Sequence, residues 1–358
     1  MPEATTELRG PATWVRATVG DPSLPLTPAM RAELAAAVRK LAAAGHANAT
    51  GLDRASFALP MLDPLLARAR EEVKSGRGFV LLSGLPLEDL SLEEFTACVW
   101  AIGTRFGHAL SQNAQGQLIT SVIDASGEDA TPRMYRSNLE LRLHSDITAM
   151  IALACWQPAA TGGLSYLASA GAIHNTILNT RAELLAPLYR GYHYHRLGEE
   201  APGEEPTTPY RVPVFTLRSG QLSCRYQRAG IAGGHKARGV PLTDTDIAAL
   251  DAFDAAARAP ENRIEFGMQR GDMLIVNNYA VLHARTGFTQ FPEPERARRL
   301  VRLWLDEAGF RDVPPEFNLM RDGNGVPPQP GRECTYDFKA LYADDPRASG
   351  GVPKLETA

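Results

Sequence analysis

Leu141-Arg142-Leu143-His144-Ser145-Asp146 lies inside a stretch from Leu139 to Ile147 that reads as a strand, and the rest of the chain is understood outward from it. In an extended strand the side chains at i and i+2 project to the same side. His144 and Asp146 therefore share a face while Ser145 points away. Their Cα atoms would lie roughly 6.6 Å apart at a rise of about 3.3 Å per residue, a gap that two convergent side chains can close on one metal. Far downstream, His283 offers a second imidazole. Two imidazoles and one carboxylate can hold one face of an iron(II) ion and leave the opposite face open. His-x-Asp alone is a weak signal, and it gains force only with its downstream partners.

The surrounding texture is of short strands. Candidates are Leu118–Ile123, Leu139–Ile147, Met150–Cys155, Leu164–Ala168, Val212–Leu217, Leu222–Tyr226, Arg263–Met268, Asp272–Val276, Ala280–Ala284 and Arg298–Leu305. Helical stretches are expected after Ser169, near Arg181–Ala186 and from Thr243 through Ala257. Upstream, Thr27-Pro28 opens a helix carrying Met30, Leu34, Val38 and Leu41, which Gly45 ends. Asp63-Pro64 starts another that runs to Gly76, Gly78–Leu82 reads as a buried strand, and Ser91 with Glu94 forms a capping box. This pattern predicts a mainly β chain with flanking helices and a jelly-roll, cupin-like core rather than a doubly wound parallel sheet. One domain is expected over residues 15–342: a helical layer (15–76), the core (about 77–308) and an extension (309–342). Residues 1–14 and 343–358 are polar and read as loosely ordered.

The 358 residues are 44% hydrophobic, enough for a substantial core. Acidic residues outnumber basic ones 41 to 37 with no basic run, which argues against a nucleic-acid partner. No apolar run reaches membrane length, and the start (MPEATTELRG) lacks a secretory pattern. Cys98, Cys155, Cys224 and Cys334 are scattered, as expected of reduced thiols in the cytoplasm. A small-molecule substrate is expected; homo-oligomerisation is left open.

Open iron needs a chelating cosubstrate. A 2-oxo acid chelates through its keto oxygen and one carboxylate, and its far carboxylate wants an arginine. Arg298 follows His283 by a loop and a return strand. On that strand Arg298, Leu300, Arg302 and Trp304 share one face, and Arg299, Val301, Leu303 and Leu305 the other. The second face is more uniformly apolar, so pattern alone favours Arg298 over Arg299 only narrowly.

Four segments occur in a telling order: Leu141–Asp146; Gly162-Gly163-Leu164-Ser165; Asn277-Asn278-Tyr279-Ala280-Val281-Leu282-His283-Ala284-Arg285; and Arg298-Arg299-Leu300-Val301-Arg302. Together they resemble the iron(II)/2-oxoglutarate-dependent dioxygenases of the taurine dioxygenase (TauD/TfdA) and clavaminate synthase-like superfamily, over roughly residues 75–308. The resemblance implies a double-stranded β-helix fold, with His144, Asp146 and His283 as iron ligands. It matches Arg298 to the arginine that grips the distal carboxylate of 2-oxoglutarate and Ser165 to a hydroxyl that supports it. Arg302 matches a position near the substrate pocket, suited to an anionic substrate. The implied reaction consumes O2 and 2-oxoglutarate, releases succinate and CO2, and hydroxylates an unactivated C–H bond of a small polar acid or amino-acid-like molecule. His-Ser-Asp departs mildly from the commoner His-Thr-Asp or His-Thr-Glu, and Asp146 argues against a halide-binding variant.

Taken singly, His46, His108, His174, His193, His195 and His235 read as structural, with His193 and His195 on a polar sheet face. Glu140 and Arg225 are candidates for substrate contact beside Arg302, with a surface position or structural pairing at least as strong a reading for both. For Arg285 a structural ion pair is the default, and Cys155 and Trp156 read as core. Two other functions stay in view: an iron oxygenase without 2-oxoglutarate, against which Ser165 and Arg298 argue, and a non-enzymatic sensor, against which the intact triad argues.

Overall fold

The computed structural model describes residues 5–45, 52–88, 90–124, 137–320 and 323–329. Among the described residues the α-helices are α1 (Pro28–Ala43), α2 (Asp63–Lys74), α3 (Leu92–Gly103), α4 (Ala170–Arg181), α5 (Leu185–Arg190), α6 (Arg228–Ala237) and α7 (Asp244–Arg258). Local chemistry starts several of them. Thr27 caps α1 ahead of Pro28, and reciprocal capping boxes, Ser91 with Glu94 and Thr243 with Asp246, open α3 and α7.

The early strands are β1 (Ser23–Pro25), β2 (Phe79–Ser83), β3 (His108–Ala109), β4 (Ile119–Val122), β5 (Leu141–His144), β6 (Met150–Gln157), β7 (Thr161–Gly162) and β8 (Ser165–Ser169). Later ones are β9 (Phe215–Arg218), β10 (Gln221–Cys224), β11 (Arg263–Phe266), β12 (Met273–Asn277), β13 (Val281–Arg285), β14 (Phe288–Thr289) and β15 (Arg299–Asp306). A seven-stranded sheet runs β1-β2-β12-β6-β15-β3, with β4 also on β15, and a four-stranded sheet runs β11-β8-β13-β5. Apart from the parallel β1–β2 pair, the ladders of both are antiparallel.

The chain is mainly β with helices on the outside, and its buried clusters explain the layering. Leu34, Leu66, Phe95 and Val99 of α1–α3 pack on Val80, Ala152, Val301 and Leu303 of the large sheet. Ile173, Leu188 and Phe253 of α4, α5 and α7 pack on Ala168 and Leu282 of the small sheet. Val122, Ile151, Leu300 and Trp304 of one sheet meet Leu167 and Val281 of the other in a third cluster between them. Strands buried on both faces read as continuous apolar runs, as in Met273-Leu274-Ile275-Val276.

The expected strands are found to within a few residues, whereas the short β1, β3, β7 and β14 were not expected, and three further points differ. The strand at Leu139–Ile147 is only β5, because Ser145 N–H turns away to the Tyr226 carbonyl at 2.9 Å. Helix α6 has no sequence signal: its Gly230, Gly233 and Gly234 read as loop, yet Gly234 packs against the His193 backbone, where a Cβ would lie 2.4 Å from the carbonyl oxygen. His193 and His195 lie on no regular sheet face; Tyr192 and His195 make isolated bridges to Val212 and Thr207. The N-terminal residues 5–14 form no regular element, but Leu8 exchanges hydrogen bonds with Asn175, and Trp14 donates to the Arg77 carbonyl at 2.8 Å. His46, Cys334 and residues 330–358 lie outside the described residues.

Gly162 and Gly163 are the tight connection between β7 and β8, at φ +72° and +66°. A Cβ on Gly162 would sit 2.2 Å from the Gly287 carbonyl oxygen. Gly162→Ala is therefore expected to cost about 2 kcal/mol or more, from left-handed strain plus that clash. Urea unfolding measures it, and a loss under about 0.5 kcal/mol, the usual range for innocuous surface changes, would contradict this account.

Candidate metal centre and its cavity

Antiparallel pairing of β13 with β5 sets His283 directly opposite His144, with ring centroids 4.4 Å apart. Asp146 sits in the loop just past β5, not on the strand, yet its carboxylate still converges: Oδ1 lies 3.5 Å from His144 Nε2 and Oδ2 3.7 Å from His283 Nε2. Among the described residues these three form the one cluster able to hold a metal ion, their ligand atoms all within 4.8 Å of one another.

The protonation states suit a divalent cation. His144 Nδ1 is 2.8 Å from the Arg142 carbonyl, which can only accept, so Nδ1 carries the proton and Nε2 presents its lone pair. Burial, with His144 alongside, pushes His283 down to about 3, so it is a neutral donor at physiological pH. Burial alone would raise Asp146, but the closeness of His144 and His283 and the charge of Arg302 hold its carboxyl below the ordinary range. Two neutral imidazoles and one carboxylate, with an open side, fit iron(II).

A frame of neighbours aims Asp146. Asn278 accepts its N–H at 3.2 Å and donates to its carbonyl at 2.5 Å, and Arg225 Nη1 donates to the same carbonyl. Trp304 Nε1 donates to Oδ2 at 3.0 Å. None of these roles was assigned from the sequence, although Asn278 lies in a motif segment and Trp304 on the face of β15 that carries Arg298.

The triad opens into a cavity of about 700 Å3 between the sheets. Arg298, Leu300, Arg302 and Trp304 all line it, whereas Val301, Leu303 and Leu305 belong to the core under α3. Arg298 is 4% exposed and passes over Gly163, where a Cβ would lie 3.3 Å from its Nε. Ser165 lines the same cavity and is the register partner of Arg285. Arg302 donates from Nε to Gln112 at 2.7 Å, and its guanidinium stands 5.2 Å over the Trp304 ring.

Other expectations fare differently. Glu140 is exposed and lies away from the cavity lining. Arg225 lines it, but its guanidinium is committed to Asp146 and Asn324. Arg285 forms no salt bridge among the described residues and donates instead to the carbonyls of Ser137 and Leu139. Leu319, Met320 and Val326 complete the wall from beyond the region that the resemblance covered; no sequence pattern pointed to them, because their place depends on the chain folding back across the sheets.

Residues 37–304 match the model of the family described as "Taurine catabolism dioxygenase TauD, TfdA family". FR-33289 synthase of Streptomyces rubellomurinus is 33% identical over 323 residues, covering 88% of this chain and 94% of that protein. The taurine hydroxylase-like protein SAT17 of Stachybotrys chartarum is 29% identical over 284 residues, 75% of this chain and 71% of that protein. Among solved structures, asparagine oxygenase with Fe(II), 3-hydroxyasparagine and succinate superposes with a TM-score of 0.63 at 17% identity, covering 79% of this chain and 93% of that one. The non-heme iron oxygenase OrfP with Fe and alpha-ketoglutaric acid gives 0.60 at 15% identity, covering 80% and 94%. At such identities the two structures speak for the fold, while the family match carries the activity: this chain belongs to the TauD/TfdA family and is an oxidoreductase, a dioxygenase that works with iron(II), 2-oxoglutarate and O2.

Proposed function

We propose that this dioxygenase hydroxylates an unactivated C–H bond of a small, anionic, amino-acid-like molecule. In this reading His144, Asp146 and His283 hold iron, Arg298 and Ser165 receive the far carboxylate of 2-oxoglutarate, and the two sheets form a jelly-roll around the site. Bound iron and cosubstrate supply the oxidising power; the chain supplies placement and exclusion of water. Leu300, Met320 and Val326 make one wall apolar, which keeps bulk water from the reacting carbon. A cytoplasmic setting suits the free, buried thiols of Cys98, Cys155 and Cys224.

The observation that carries the substrate class is the charge of the cavity. Arg225, Arg285, Arg298 and Arg302 line it, with Arg196 already paired to Glu204 at 3.0 Å, against only Asp146 and Glu199, and Asp146 would be taken by the metal. One 2-oxoglutarate carboxylate does not balance that excess, so the substrate brings negative charge of its own. The relatives support the amino-acid-like part of this reading: one solved structure holds a hydroxyasparagine, and another, of OrfP, holds (3S)-hydroxy-L-Arg, each with an α-carboxylate but no net negative charge.

The experiment is a screen for succinate release with iron(II), 2-oxoglutarate and O2, across amino acids, N-acylated amino acids and other small anions against neutral analogues. Stimulation by anionic compounds alone is expected, and a neutral compound as the best substrate would refute the assignment. With the substrate in hand, Arg302→Ala should raise its KM by about ten- to a hundredfold, the worth of one charge-assisted contact, and leave 2-oxoglutarate affinity unchanged.

A further inference from the structure

Two arginines, not one, face the cosubstrate end of the cavity. Arg285, at the end of β13, is 6% exposed, and Arg298 is 4% exposed. Both line the cavity, and both guanidinium carbons lie over the same Phe288 ring, at 4.7 and 4.9 Å from its centroid. Ser165 sits directly across the β8–β13 ladder from Arg285, so the hydroxyl and the two guanidiniums belong to one cluster.

The hydrogen-bond ledger of this cluster does not close within the protein. Arg285 spends Nη2 on the carbonyls of Ser137 (2.7 Å) and Leu139 (2.5 Å), while its buried Nε and Nη1 have no partner among the described residues. Arg298 Nη1 is buried without a partner as well. Asp124 acts on Arg285 without forming a salt bridge, and among the described residues no other carboxylate acts on either arginine. Two buried guanidiniums with three idle donor atoms are costly unless an anion with several acceptor sites meets them.

We infer that Arg285 is a second cosubstrate-binding arginine, and that the distal carboxylate of 2-oxoglutarate is held between Arg285 and Arg298 with Ser165 completing the cradle. This rests on the proposed placement of 2-oxoglutarate and extends it to a residue for which sequence favoured a structural ion pair. It also gives the Arg285 contacts a consequence. Ser137 and Leu139 lead into β5, whose last residue is His144, so a guanidinium fixed by the cosubstrate steadies the strand that carries an iron ligand.

The test is equilibrium binding to the iron(II)-loaded full chain without oxygen, using 2-oxoglutarate and 2-oxopentanoate as separate probes. The second probe keeps the chelating end and the chain length but ends in a methyl group. Arg285→Gln should weaken 2-oxoglutarate at least tenfold and leave 2-oxopentanoate within about twofold, and Arg285→Lys should restore part of the loss. Unchanged 2-oxoglutarate affinity in Arg285→Gln would overturn the inference. So would equal weakening of both probes or loss of iron, since Arg285 would then serve only to hold the 137–139 backbone. If the unmodified protein fails to prefer 2-oxoglutarate to 2-oxopentanoate, the underlying placement of the cosubstrate falls, an outcome separable from failure at Arg285 alone.

Discussion

Asp146→Ala is expected to abolish turnover, with a loss of at least about a thousandfold in succinate release, and to weaken iron(II) by more than the roughly ten- to hundredfold typical of losing a mere supporting contact. The carboxylate is the one anionic ligand of the set, placed 3.5 and 3.7 Å from the two imidazole Nε2 atoms. Without it, two neutral imidazoles face a divalent ion with no charge to offset its dehydration. The fold should survive, because Asn278 and Arg225 hold the backbone of residue 146 rather than its side chain. The check is retained iron after gel filtration, and the weak visible band formed by adding 2-oxoglutarate to the iron-loaded protein without oxygen. A variant that kept its iron, its band and its turnover would remove Asp146 from the metal site.

Arg298→Ala should act on the other component. Truncation leaves the far carboxylate of 2-oxoglutarate without a charge-assisted partner in a buried setting, worth about 3–4 kcal/mol or two to three decades in Kd. Iron retention should change little, since Arg298 is no ligand. Arg299→Ala is the matched control, because Arg299 is buried in β15 yet absent from the cavity lining. Titration of the anaerobic band with 2-oxoglutarate reads both variants. Equal affinity in Arg298→Ala and the unmodified chain would move the carboxylate to another arginine of the cavity.

Much of the arrangement was legible before any coordinates. Continuous apolar runs and capping signals are local, so Met150–Gln157, Met273–Asn277 and the three capped helices were readable to within a few residues. Helix α6 was hidden because its glycines are there for close approach to the His193 backbone, a tertiary reason with no local trace. The strand expected around His144 was too long for a related cause: Ser145 finds its partner in Tyr226, eighty-one residues away in sequence. Glu140 takes the surface reading of the two that sequence left open, because nearness to His144 along the chain does not specify which way an exposed strand entrance faces.

By itself the sequence determined the chemistry available to this protein: one carboxylate and two imidazoles in an order that only a folded sheet can gather, followed by an arginine-rich strand. Residue type and spacing suffice for that, since donor atoms and strand periodicity are properties of short segments. Only the tertiary structure decided which side of β15 faces the cavity, and so separated Arg298 from Arg299. It alone placed Arg285 beside Arg298 with donors unspent, gave Arg225 to the Asp146 backbone, and brought Leu319, Met320 and Val326 back to close the wall. These are outcomes of long-range packing and of where each buried polar group finds its partner, and no local pattern carries that information.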